Sequence, residues 1–206
     1  MLAIEHGAFL AQLFKEDIVL VHVMEKNWQP FNIVEPEIQV KGSSELADKI
    51  EARLQEIGDD ILKKYGVRCT TFSTSGNICG EIISLAKENN VDLIVMGTHG
   101  VSGFEEFFIG SNAYKVVTRA ENPVISVQSH AKKMGFSNIL VPLDGSDHSR
   151  QKVDYVMVLA KKYGAKVHIL GLLDDENEQK FDIKIDQVQH VVEKTGLTFT
   201  RKVIRV

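Results

Sequence analysis

The chain has 206 residues, of which 44% are apolar and 25% are charged, a balance typical of one or two globular domains with an ordinary core. A formal net charge of −4 argues against a general nucleic-acid-binding protein, which needs a basic face to displace counterions. No apolar run approaches the roughly 20 residues that span a bilayer, so we expect no membrane segment.

The two cysteines, Cys69 and Cys79, stand ten positions apart, with no histidine at a metal-binding spacing. Two reduced thiols in a cytoplasmic protein are the simplest interpretation, and we expect no metal site.

Short runs rich in Val, Ile and Leu alternate along the chain with helical patterns. Most of these runs are apolar on both faces, which is typical of parallel strands covered by helices on both sides. The alternation predicts an α/β fold of βαβ units with right-handed crossovers. In chain order, the predicted elements are a helix over 2–14, a strand over 17–23, a helix over 43–64, strands over 67–73 and 92–97 with a helix over 78–90 between them, a helix over 111–119, strands over 123–128 and 138–143, a helix over 147–163, a strand over 166–173, a helix over 180–195 and a strand over 197–204.

Local signals mark the ends of the long second helix. Ser43 and Ser44 are predicted N-caps, and Gly66 is a predicted C-cap before the next strand.

The chain also contains an internal repeat. At an offset of 149 residues, "AIEHGAFLAQLFKEDIVLVHVME" aligns with "KVDYVMVLAKKYGAKVHILGLLD", so that Leu10 meets Leu159 and Ala11 meets Ala160. Further on, "KKYGVRCTTF" aligns with "EKTGLTFTRK" at an offset of 130 residues, which pairs Gly66 with Gly196. A repeat of this length predicts two tandem domains.

The repeat is uneven at both ends. The second copy opens with the strand over 138–143, whose counterpart in the first copy would precede residue 1, and the counterpart of residues 77–128 would follow residue 206. We therefore expect a first domain over 1–128 without its opening strand, a linker over 129–137, and the first half of a second domain over 138–206. The sequence reads as a longer tandem protein truncated at both ends.

The segment "MGTHGVSGFEEFFIGSNAYKVV" (96–117) carries the pattern Gly97-x-x-Gly100, nine residues, Gly110-Ser111. Glycines after a parallel strand let backbone amides approach an anion, and a helix N-terminus favours a phosphate. The alternative is that the glycines only turn the backbone and that Ser111 is an ordinary cap. Spacing alone leaves both interpretations open.

This segment, with "DLIVMGTHG" at its start and "NPVISV" after it, resembles the universal stress protein family. "NILVPLDGSDHS" is similar to the family's first strand, and "IVLVHV" to its second. The resemblance covers essentially the whole chain. It implies a Rossmann-like fold, of the adenine nucleotide alpha hydrolase-like kind, in tandem repeat.

The resemblance also implies a nucleotide site. Gly97, Gly100, Gly110 and Ser111 would hold phosphate and ribose, with Val23 beside the adenine and Asp144 in the adenine-binding position of the second copy. The same segment contributes Met96 before the first glycine, and Thr98, His99 and Asn112 as phosphate contacts.

The function implied is stress response, with ATP or a related adenine nucleotide bound as a regulatory ligand, with or without Mg²⁺. We expect no enzyme beyond slow incidental hydrolysis, because the chain has no Walker lysine and no evident base for water. The alternative is a structural module that binds no nucleotide and acts through protein partners. A third, weaker possibility is an enzyme acting on a small molecule on the same fold.

Two assembly expectations complete the sequence analysis. The family resemblance implies a homodimer through the strand over 123–127. Alternatively, 138–143 fills the vacant strand position of the first domain, in cis or by domain swapping, and brings Asp144 to the Gly97 loop. "DGSDHS" (144–149) is interpreted as a turn and an N-cap for the helix that follows, since residues on one helical turn do not make a catalytic triad.

Overall fold

The computed structural model describes residues 2–25, 36–98, 109–129, 131, 133–144, 146–173 and 178–205. The chain divides into two compact units, Met1–Lys132 and Lys133–Val206, which are considered separately below. Within the described ranges, no helix combines the length and the apolar character that crossing a membrane requires.

The first unit alternates helices and strands throughout. Its elements are α1 (Leu2–Phe14), β1 (Ile18–Glu25), α2 (Pro36–Tyr65), β2 (Cys69–Gly76), α3 (Ile78–Glu88), β3 (Ile94–Gly97), α4 (Ser111–Arg119) and β4 (Val124–Val127).

The strands of the first unit form two parallel pairs, β1 with β2 and β3 with β4. Helix α1 packs against β1, β3 and β4, and α3 packs against β1, β2 and α4. The apolar residues gather in two clusters, one where α1 meets α2 around Ala8 and Ile61, and one where α3 meets α4 around Cys79 and Val116. No strand among the described residues joins the two pairs.

The second unit consists of β5 (Asn138–Leu143), α5 (Asp147–Tyr163), β6 (Lys166–Leu173), α6 (Glu178–Lys194) and β7 (Phe199–Arg205). The three strands form one parallel sheet in the order β5-β6-β7. Helices α5 and α6 contribute to a single core with the inward-facing residues of β5 and β6, such as Val141, Val167 and Ile169. The α/β class and the parallel pairing predicted from the apolar runs are confirmed.

The two units repeat each other down to the register of their strands. Ile18 pairs with Cys69 in the first unit, and Val167 pairs with Phe199 in the second, as the offsets of 149 and 130 residues require. The ends of the helices repeat as well. Gly66 and Gly196 have φ angles of 69° and 72°, which confirms the predicted glycine cap after α2.

The helix ends before β1 and β6 correspond in the same way, but one of them lacks a glycine. Gly164 ends α5 with a φ angle of 62°, and its counterpart Lys15 has a φ angle of 65°. A side chain at positive φ is strained, so Lys15 holds a conformation that glycine adopts readily.

The predicted start of α2 is wrong. The helix begins at Pro36, so Ser43 and Ser44 lie inside it and are not N-caps. Proline is well suited to a first helical position, because its fixed φ is helical and its missing amide would have had no partner there. A serine pair is therefore a weaker start signal than a proline upstream.

The expectation that 138–143 occupies the vacant position of the first domain is also wrong. β5 pairs in parallel with Lys166–Gly171 of its own unit. An apolar strand prefers the neighbour that a short βαβ connection delivers, and α5 supplies that connection to β6.

Candidate functional site

The two ends of the glycine segment meet in the structure. Thr98 follows β3, is only 4% exposed, and its amide donates to the carbonyl oxygen of Val127 at 3.0 Å. The Gly110 amide in turn donates to the carbonyl oxygen of Thr98 at 2.7 Å. These two bonds hold the carboxyl end of β3 beside the first turn of α4.

The first turn of α4 differs from those of α3 and α5. Asn77 caps α3 by accepting from the Gly80 amide at 3.0 Å, and Ser146 caps α5 by accepting from the Ser149 amide at 3.2 Å. Helix α4 has Gly110 at its N-cap, and within the described part of the chain no side chain caps it.

An uncapped helix N-terminus offers amide donors and the positive end of the helix dipole. Ser111, the first residue of α4, is exposed and adds a hydroxyl, and Asn112 follows it half-buried in the same turn. These donors fit a phosphate group, which is the chemistry that such a terminus accommodates.

The remaining residues of the predicted site fall in different places. Met96 is half-buried and Gly97 exposed, both at the end of β3, so they lie next to Thr98. His99 and Gly100 lie outside the described residues. The structure thus brings together Met96–Thr98 and Gly110–Asn112.

Val23 lies near the carboxyl end of β1 and is half-buried. Its partner in the ladder is Thr74 of β2, whose hydroxyl donates to the carboxylate of Glu81 in α3 at 2.9 Å. Sequence analysis missed this polar pair beside the predicted adenine contact. The available signal was an acidic residue in the first turn of a helix that follows a strand ending in Thr-Ser-Gly.

Asp144 lies in the second unit, at the end of β5. Its carboxylate accepts from the Ser146 amide at 3.0 Å and from the Ser149 hydroxyl. These bonds, with that of Ser149 foremost, hold the pKa of Asp144 well below its usual range. The predicted turn and N-cap are confirmed, because Ser146 caps α5.

The sequence analysis did not predict that the carboxylate of Asp144 accepts hydrogen bonds from its own loop. The spacing Asp-x-Ser-x-x-Ser could have indicated it, since an aspartate often accepts from the amide two residues on, and serine follows naturally at a cap. Because β5 pairs within its own unit, the route by which Asp144 was expected to reach the Gly97 loop is removed.

Comparison with known proteins identifies the family to which this chain belongs. The profile described as the universal stress protein family matches residues 1–128 and 135–195. The chain is 31% identical over 138 residues to universal stress protein MJ0531 of Methanocaldococcus jannaschii, an alignment covering 64% of this chain and 76% of that protein. It is 40% identical over 88 residues to universal stress protein YxiE of Bacillus subtilis, covering 39% and 60% of the two chains.

Among solved structures, a universal stress protein from Archaeoglobus fulgidus is similar with a TM-score of 0.74 at 20% identity, over 98% of this chain and 73% of that one. At that identity the likeness shows the fold, and the profile match carries the assignment. The two matched segments correspond to the two copies of the repeat. The chain belongs to the universal stress protein family.

Proposed function

We propose that this chain binds ATP or a related adenine nucleotide as a regulatory ligand, with its phosphates at the N-terminus of α4. The observation that carries the proposal is the first turn of α4, which no described side chain caps and which the bond from Gly110 to Thr98 ties to the end of β3. Ligands of open parallel sheets bind outside the carboxyl ends of the strands, which is where this turn lies.

The described residues of the first turn of α4, with Gly97 and Val23, then have roles that their positions support. The amides of the first turn and the Ser111 hydroxyl donate to phosphate oxygens, and Asn112 lies close enough in the chain to add a donor. Gly97 leaves room for the ribose beside the strand end. Val23 packs against the adenine from the neighbouring pair of strands, and a Mg²⁺ ion, when bound, neutralises phosphate charge.

The ligand is held for regulation and not for turnover. The segment over 96–117 lacks the Gly-Lys-Ser/Thr sequence that carries a catalytic lysine in P-loop enzymes. We expect that ATP hydrolysis, if measured, stays slow and incidental.

A calorimetric titration with Mg-ATP tests the proposal. We expect the chain to bind in the micromolar range and Gly110→Val to bind at least tenfold more weakly, because a branched side chain at the N-cap obstructs the first turn. Gly7→Ala is the matched control: a Cβ there meets the Val95 Cβ at 3.9 Å, an ordinary contact, so binding should be unchanged. Equal affinity of the chain and Gly110→Val would overturn the proposed site.

A structural module acting through protein partners is the second candidate function. Tyr114 and Val117 are exposed apolar residues one turn apart on α4, and they offer a surface to a partner. Absence of nucleotide binding, together with a dimer that dissociates when both residues are changed to serine, would favour this candidate.

A further inference from the structure

A carboxylate lies next to the residue that is proposed to contact the adenine. Val23 of β1 is the register partner of Thr74 of β2, and neighbouring strands lie about 4.8 Å apart. The Thr74 hydroxyl donates to the carboxylate of Glu81 in α3 at 2.9 Å, and both residues are half-buried. Glu81 is therefore held on the strand beside Val23.

Val23, Thr74 and Glu81 share one side of the β1–β2 pair. The other side of β2 faces α2, because a Cβ on Gly58 would lie 3.3 Å from the Cβ of Cys69. Side chains alternate along a strand, so Thr74 points to the opposite side, where α3 packs. Register partners point to the same side, which places Val23 there as well. Helix α3 also packs against α4, whose first turn is the proposed phosphate site.

Helix α3 does not use the Glu81 carboxylate as its cap. Asn77 caps the helix by accepting from the Gly80 amide at 3.0 Å. Among the described residues, the Thr74 hydroxyl is the one hydrogen-bond donor to the Glu81 carboxylate. An ionised carboxylate can accept about four hydrogen bonds, so acceptor sites remain for a donor on a ligand.

Gly76 provides the space that this carboxylate occupies. A Cβ on Gly76 would lie 2.5 Å from Glu81 Oε1 and 3.0 Å from Glu81 Cδ. Gly76 is buried and is the last residue of β2. The carboxylate thus lies over the carboxyl end of the strand, which is the edge where parallel sheets bind their ligands.

The second unit has apolar residues at the equivalent place. At the offsets of 149 and 130 residues, Val23 corresponds to Leu172 and Thr74 to Ile204, and these two are register partners as well. The same strand pairing therefore forms with two apolar side chains. Strand pairing does not account for the hydroxyl and the carboxylate of the first unit.

We propose that Glu81 selects adenine over other purines by accepting a hydrogen bond from the exocyclic amino group of the base. The inference rests on the nucleotide site proposed above, with Val23 against the adenine. Adenine carries an amino donor at the position where guanine and hypoxanthine carry a carbonyl oxygen. A carboxylate accepts from the amino group and repels the carbonyl oxygen, so it disfavours the 6-oxopurines. Thr74 and Gly76 are positioning residues, because they orient the carboxylate and leave it room.

Calorimetric titration with Mg-ATP and with the magnesium complex of inosine triphosphate tests the proposal. The two nucleotides share the ribose and the phosphates, and inosine triphosphate has a carbonyl oxygen in place of the amino group. We expect the chain to bind ATP about tenfold more tightly or better, since hydrogen bonds to an ionised group are strong. Glu81→Gln should remove most of this preference without reducing the affinity for inosine triphosphate, because an amide offers an acceptor or a donor.

Gly76→Ala displaces the carboxylate without removing it. The added Cβ meets the end of a flexible side chain, so the variant should fold, and its thermal unfolding curve checks this. Its preference for ATP should fall as in Glu81→Gln. Gly80→Ala is the matched control, because its Cβ would lie 3.5 Å from Asn77 Oδ1, an ordinary contact, and the preference should be unchanged.

The outcomes separate the role of Glu81 from the proposed function. Equal binding of the two nucleotides by the parent chain, or an unchanged preference in Glu81→Gln, would overturn the role of Glu81 and leave the phosphate site standing. A preference kept in Gly76→Ala would contradict the position given to the carboxylate. If neither nucleotide binds to the parent chain, the proposed function and the selection of adenine both fail.

Discussion

The Gly110 amide donates to the Thr98 carbonyl at 2.7 Å, and this bond joins the end of β3 to the beginning of α4. Because Thr98 is itself held by Val127, the first turn of α4 is positioned by the β3–β4 pair. The proposed phosphate site therefore depends on a backbone contact as much as on the Ser111 side chain.

Gly110→Pro tests the importance of this bond. Gly110 has φ −55° and ψ 148°, which a proline ring accepts, so the variant removes the amide donor at a compatible φ. We expect a loss of about 1–2 kcal/mol in the free energy of unfolding, measured by urea denaturation, and weaker Mg-ATP binding. Gly110→Ala keeps the donor and should unfold like the parent chain. Equal stability of the alanine and proline variants would contradict the role given to the amide.

Lys15→Gly should stabilise the first unit. Lys15 is exposed and has a φ angle of 65°, and its counterpart Gly164 adopts the same conformation without strain. Relief of that strain, partly offset by the greater freedom of glycine in the unfolded chain, gives an expected gain of about 0.5–1 kcal/mol. Chemical denaturation measures it, and Lys15→Ala, which keeps the strained φ, should show no gain. A destabilised glycine variant would disprove the prediction.

Gly171→Ala should destabilise the second unit. A Cβ at this position would lie 2.6 Å from Ile185 Cδ1 and 2.7 Å from Phe181 Cζ, both on α6. These side chains are buried, so the overlap should reduce the free energy of unfolding by about 1–3 kcal/mol. The double variant Gly171→Ala, Phe181→Leu relieves part of the overlap and should recover part of the loss relative to the two single changes. An alanine variant as stable as the parent would show that α6 moves away freely.

The pH dependence of the second unit should include a contribution from Asp144. Its pKa is depressed in the folded state, chiefly by the Ser149 hydroxyl, from the ordinary value of 3.8. A depressed pKa means that the stabilisation is fully present above about pH 4 and is lost as the pH falls below that value towards the folded pKa. Because the carboxylate is exposed, solvent screening keeps the effect modest.

Asp144→Asn and Ser149→Ala should therefore lower stability at pH 7 and make its decline between pH 4 and pH 2 shallower. Thermal unfolding across this range measures both effects. Profiles parallel to that of the parent chain would show that the carboxylate contributes nothing to folding.

Local sequence patterns predicted the regular elements well. The helix over 2–14 and the strands over 138–143 and 166–173 have the predicted bounds, because apolar periodicity and a terminating turn residue determine them locally. Gly66 illustrates the same point, because glycine adopts the positive φ of a helix end without help from tertiary contacts. The start of α2 was misplaced because serine is compatible with both a cap and a helix interior.

Local sequence patterns predicted only part of the candidate site. The glycine and serine spacing indicated the first turn of α4, but not the bond between Gly110 and Thr98, which lie on opposite sides of the intervening loop in sequence. The Thr74–Glu81 pair beside Val23 likewise depends on the register of β1 against β2. The sequence thus identified the glycines at residues 97 and 110, but it did not identify the residues that lie against them in the structure.

The sequence by itself determined the α/β class, the tandem repeat with its two offsets, and the family, because these depend on periodicity and on motifs read along the chain. Only the tertiary structure decided which strand accompanies β5 and that the carboxylate of Asp144 is bound by Ser146 and Ser149. It also decided that, among the described residues, no side chain caps α4. Each strand and each hydrogen-bonding group has several alternative partners along the chain. Packing in three dimensions determines which of these partners it binds.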